Sequence, residues 1–194
     1  VREAKPRILS VRNAQIALWV TRGACILAGF FIAVVPALDD LITTAYRVLL
    51  IVPPLFAVVV AGLYFATDRG TSLHRSALVG AGIGVVVMIA PVALALGSSL
   101  LSVVAIFVLG VPAVVGFTVF VLFVAYLLWT ASGLSVPRWI PVALVVVPVV
   151  DPILNAVLIS ILPIGISVTG LTWVTTGLVL HRDSNTDHDA VGVA

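Results

Sequence analysis

The chain has 194 residues and a net charge of +2; 62% of its residues are hydrophobic and only 9% are charged. A soluble domain carries about 25% charged residues, so this composition, with a mean hydropathy of +1.29, excludes an ordinary soluble domain and predicts an all-α polytopic membrane bundle. The single cysteine, Cys25, excludes an intrachain disulfide and a cysteine-rich metal site, and the basic residues are too dispersed for a nucleic-acid surface.

Residues 1–22 form a basic N-terminal segment with Arg2, Lys5, Arg7, Arg12 and Arg22. Ile16, Leu18 and Trp19 give it an apolar side, so it reads either as a flank that sets orientation or as a short interfacial helix. Residues 23–180 are expected to hold six spans. The first apolar run, Gly23–Leu38, is short for a bilayer, and beginning the helix near residue 15 repairs its length. That choice places Arg22 inside the span, from where its long side chain can reach the surface.

Asp39-Asp40 mark a loop, and residues 48–66 form the second span, with Pro53-Pro54 expected near its start. The third span, 76–96, opens with Gly80 and Gly84, a GxxxG pair that permits close helix approach. Residues 100–130 carry no charge and are too long for one upright span. Here 111–130 reads as the fourth span, and 100–110 as either a tilted extension or a re-entrant piece. The fifth and sixth spans fall at 139–160 and 164–180, and residues 181–194 read as a polar, disordered tail.

An even number of spans puts both termini on one side. That side collects Arg2, Lys5, Arg7, Arg12, Arg22, Arg69, Arg75, Arg138 and Arg182, whereas the other holds Arg47. The positive-inside rule makes the first side cytoplasmic, in a multi-pass protein of the cell membrane.

Asp151 is the leading candidate for chemistry. An acid at mid-membrane costs about 2.5–3.5 kcal/mol on insertion scales. It therefore needs a partner, or it serves a proton, a cation or a substrate. Asn155 lies one turn further on the same face, and Pro148 and Pro152 each remove a backbone hydrogen bond nearby. Arg22, Arg47 or the backbone are the expected structural partners. Thr172 and Thr176, with Thr169, repeat at helical spacing on the sixth span and offer a facing surface. Their ordinary role is packing, with the hydroxyls bonded to their own backbone.

The chain has no Gly-rich phosphate loop, no nucleophile elbow and no HExxH motif. The three histidines fall in inner loops or the tail and match no metal site. The expectation is a non-enzymatic protein without a cofactor. It would act by helix-mediated association with itself, a membrane-protein partner or membrane lipid, through the faces around Gly80, Gly84 and the sixth span. The alternative is a small transporter or channel component with a polar site at Asp151 and Asn155.

The stretch Leu128–Ile140, LWTASGLSVPRWI, and the closing Gly170–Arg182, GLTWVTTGLVLHR, resemble small six-span prokaryotic membrane proteins. In these, a short Ser-Gly loop leads through Pro-Arg-Trp into the next span. The resemblance covers the C-terminal third. It implies a fold and carries no catalytic residue.

Overall fold

The computed structural model describes residues 7–38, 41–67, 72–97, 103–130, 134–161 and 167–182. Side chains are described for 13–33, 50–67, 73–89, 111–130, 134–151 and 167–181. The described residues are almost entirely helical, in α1 (Arg7–Leu38), α2 (Leu41–Ala66), α3 (Ser72–Gly97), α4 (Val103–Thr130), α5 (Trp139–Ile161) and α6 (Val168–Val179). Two dipeptides, β1 (Leu134–Ser135) and β2 (His181–Arg182), pair antiparallel, with Leu134 opposite Arg182 and Ser135 opposite His181.

Two described stretches, Asn13–Ala33 and Val111–Thr130, are long and apolar enough to cross a membrane. The apolar stretches described in the other helices, Leu50–Ala66, Leu73–Ile89, Trp139–Asp151 and Val168–Val179, are shorter.

Several boundaries differ from the sequence reading. The basic N-terminal segment is continuous with the first apolar run, because nothing between Arg7 and Leu38 breaks the helix before Pro36. Pro53 and Pro54 lie in the interior of α2, since Leu41–Val48 extends that helix backwards. α4 runs unbroken through Gly110 and Pro112, so 103–110 is an extension of the helix and not a re-entrant piece. α6 is 12 residues long and begins at Val168, four residues later than expected. At 1.5 Å per residue it covers about 18 Å, against about 30 Å of hydrocarbon. The tail beyond Arg182 lies outside the described residues.

Each helix packs mainly on its neighbours in sequence, and α6 closes the ring on α1. Glycines set the closest approaches. A Cβ on Gly84 would lie 2.6–2.9 Å from the backbone of Gly116 and Phe120, and one on Gly116 would lie 2.7 Å from Gly84 O. α3 and α4 therefore touch backbone to backbone. On the other side of the ring, a Cβ on Gly29 would lie 2.5 Å from Gly170 O, and one on Gly177 would lie 2.7 Å from Arg22 O. Pairs Gly29–Gly170 and Arg22–Gly177 define an antiparallel register along α1 and α6.

The middle of the ring is filled by an aromatic layer. Phe56 of α2 stacks on Phe120 of α4, with ring centroids 4.4 Å apart, and Trp173 of α6 lies 4.7 Å from Phe56 and 5.5 Å from Phe120. These rings are fully buried. Such stacked pairs add about 0.5–1.5 kcal/mol beyond their buried area.

The antiparallel packing collects Arg22, Thr67, His74, Arg75, Arg138 and the β1–β2 pair at one end of the bundle. His74 was read as a loop residue, yet it is buried. Thr67 Oγ1 donates to Leu63 O at 2.6 Å, so the 2.6 Å contact between Thr67 and His74 has His74 Nε2–H as donor. It joins the end of α2 to the start of α3. Burial lowers the imidazole's pKa below its ordinary 6.5. The contribution of neutral His74 is therefore complete above pH 6.5 and is lost as pH falls through the lowered value, because the unfolded chain binds the proton first. Thermal melts between pH 7.5 and 5.5 should show this loss, and His74→Gln should flatten it.

Candidate functional site

The site is built around the two ends of α6. Its first turn carries backbone N–H groups with no partner inside the helix. Asp151, halfway along α5 and 7% exposed, supplies the acceptors. Its Oδ1 accepts from the Val168 N–H at 3.0 Å, and its Oδ2 accepts from the Thr169 N–H at 3.2 Å and from Ser167 Oγ at 2.6 Å. Ser167 is the N-cap, and its Oγ accepts from the Gly170 N–H at 3.4 Å. Leu171 N–H then begins the helical pattern by donating to Ser167 O at 3.3 Å. Every amide of the first turn is satisfied. The carboxylate also sits where the helix dipole is positive.

The opposite end is completed in the same manner. The last carbonyls of α6 lack helical donors. Leu180 N–H donates to Thr176 O at 3.0 Å, and His181 Nδ1 donates to Val179 O at 2.8 Å. Arg22 of α1 covers the remaining two, with Nε 3.1 Å from Gly177 O and Nη2 3.2 Å from Leu178 O. Its guanidinium also lies 4.7 Å from the centre of the Trp19 ring. A cation at a helix C-terminus complements the dipole. Thus the acid on α5 and the base on α1 meet opposite ends of one short helix: of the expected partners of Asp151 the backbone is the one observed, and Arg22 is engaged elsewhere.

Arg22→Met should therefore destabilise by about 1–2 kcal/mol, given two charge-assisted bonds at a half-exposed position. Arg22→Lys should recover only part of this, because an ammonium lacks the planar fork that reaches two carbonyls. Paired melts of the three proteins in detergent would read it.

The other candidates are placed as follows. Thr172 Oγ1 donates to Val168 O at 3.0 Å and Thr176 Oγ1 to Thr172 O at 2.8 Å, each back to its own helix. Asn155 lies on α5, outside the residues whose side chains are described, as does Arg47 on α2. Gly80 faces the ring of Phe123, and Gly84 packs on α4. The GxxxG pair is thus filled within the chain, as is the glycine face of α6.

Next to the α6 N-terminus lies a cavity of about 750 Å³. All six helices contribute to it. Ile32, Val52, Met88, Ala113, Phe117, Val121 and Val145 make an apolar wall, and Asp151, Ser167 and Thr169 make one polar end. Val114 and Val149, 65% and 73% exposed, stand at its rim between α4 and α5. The opening therefore faces sideways, out of the bundle. Its volume falls within the range of about 300–1,000 Å³ that accommodates a small organic molecule. Among the described residues no cluster of three His, Cys, Asp or Glu side chains could hold a metal.

Sequence reasoning singled out Asp151 and Arg22 but not Ser167, Gly29, Gly170 or Gly177. The signal for Ser167 was present as a Ser before an apolar helical run. Compared with known proteins, the chain matches no family model, no curated protein and no solved structure.

Proposed function

We propose that this chain is an integral membrane protein of six spans, with both ends on the cytoplasmic side, that binds a small apolar molecule drawn from the bilayer. The observation that carries this reading is the cavity. It is lined by all six helices, opens laterally between α4 and α5, and gathers its polar groups at one end, apart from Thr118, whose hydroxyl is bonded to Val114 O. Composition supports residence in a membrane, as do the two long apolar helices. The end bearing Arg22, Arg75 and Arg138 is the cytoplasmic one by the positive-inside rule. The protein acts as a binding or carrier component and is non-enzymatic. Asp151 and Ser167 are spent on each other and on the α6 backbone, which leaves them poor candidates for a nucleophile and its base.

This reading favours the transporter-like alternative over association through small-residue faces, because those faces are occupied within the chain. It also changes the role of Asp151. In transporters with broken helices, a half-helix N-terminus can receive an anionic substrate. Here the chain's own carboxylate occupies that position.

Native mass spectrometry of the protein released from mild detergent tests the proposal. The parent should carry a non-covalent small molecule, and Ala113→Phe, which fills the cavity from its buried wall, should not. Identical bare monomers from both proteins would defeat it.

A further inference from the structure

Thr169 differs from the other threonines described on these helices. Thr21, Thr118, Thr130, Thr172, Thr175 and Thr176 all donate to the carbonyl four residues back. Thr169 lies in the first turn of α6, where the residue four back precedes the helix. It is 6% exposed, it lines the cavity, and its hydroxyl makes no hydrogen bond among the described residues. Among the described residues the one sealed side-chain polar atom without a partner is Trp173 Nε1, so the Thr169 hydroxyl keeps accessible surface and is open to whatever occupies the cavity. The other polar groups at that end are engaged: Ser167 Oγ both donates and accepts, and both Asp151 oxygens accept from α6.

We propose that Thr169 Oγ1 is the headgroup contact of the cavity and that the ligand is an uncharged amphiphile, a long-chain molecule ending in a hydroxyl or carbonyl. This rests on the cavity reading above. The apolar wall takes the chain, and the hydroxyl of Thr169 can donate to a carbonyl or both donate to and accept from an alcohol. A carboxylate head is rejected, because the Asp151 carboxylate lies within hydrogen-bond distance of the Thr169 amide and like charges repel strongly where water is excluded. An ammonium head is disfavoured as well. It would lose its hydration to meet a carboxylate whose oxygens already point at the α6 amides.

The test is photolabelling of the full chain in lipid vesicles with a diazirine-bearing dodecanol. Unlabelled dodecanol, dodecanoate and dodecylamine serve as competitors. Labelling should fall on cavity residues and be competed by dodecanol at least tenfold more effectively than by the acid or the amine. Thr169→Val, which keeps the side-chain shape, should weaken labelling three- to tenfold, and Thr169→Ser should restore it. Equal competition by all three heads would overturn the headgroup assignment while leaving the cavity reading intact, as would unchanged labelling of Thr169→Val. Labelling that persists in Ala113→Phe, or that falls outside the cavity, would overturn the cavity reading and this inference with it.

Discussion

Asp151→Ala should lower the melting temperature of the detergent-solubilised protein by roughly 10 °C. The substitution leaves the Val168 and Thr169 amides and the Ser167 hydroxyl without acceptors in a buried place. Removing one side of a buried charged network costs about 3–5 kcal/mol, and about 2–4 °C accompany each kcal/mol in a chain of this size. Asp151→Asn should fall between the parent and Asp151→Ala. Its amide keeps one acceptor oxygen, but its –NH₂ faces a donor. Asp151→Leu should resemble Asp151→Ala. If all three variants melted with the parent, the carboxylate would not be anchoring α6, and its place in an apolar helix would need another explanation, such as a transported proton.

The second large effect is expected at Gly170. A Cβ there would meet Ala33 N and lie 2.5 Å from Gly29 O and 2.7 Å from Ala33 Cα, all backbone atoms of α1. Backbone cannot rotate aside, so α1 and α6 must separate. Gly170→Ala should cost about 3 kcal/mol, the upper part of the usual overpacking range. Gly170→Leu should yield little folded protein by size-exclusion chromatography. Gly82→Ala provides the contrast. Nothing lies within 4 Å of a Cβ there, so relief of glycine's backbone entropy should leave stability unchanged or raise it by up to about 1 kcal/mol. Gly80→Ala should be milder than Gly84→Ala, because the first meets a Phe123 ring and the second meets the α4 backbone. Equal tolerance at Gly170 and Gly82 would contradict the backbone contact.

These two positions also show what was legible in the sequence. Asp151 stood out because a lone acid in a 23-residue apolar helix has no solvent to face, and Arg22 stood out for the same reason. That backbone could pair with Asp151 was legible, but which backbone was not, and the partner of Arg22 was not legible at all. Each meets a helix terminus, and a terminus is a set of backbone groups that no side chain announces. Ser167 sits 16 residues from Asp151, and Gly177 sits 155 residues from Arg22. Gly80 and Gly84 were readable as a spaced pair on one helix. Gly29 and Gly170 were not, since each is a single glycine on its own helix and only the antiparallel register brings them together. The sixth segment was read as a full span from hydrophobicity, which does not register where a helix starts; Ser167 and Asp151 together set that start at Val168. The cavity was invisible, because a space between six helices has no local pattern.

On the proposed reading, the chain crosses a bilayer with the basic end of the bundle in the cytoplasm and the cavity open to lipid. Sided labelling of intact cells with a membrane-impermeant maleimide tests this, using Ser135→Cys in β1 and Ser99→Cys in the sequence between α3 and α4. Cys25 is buried and should stay silent. Ser99→Cys should be labelled from outside, and Ser135→Cys only after the membrane is opened. Labelling of both from the same side would contradict it.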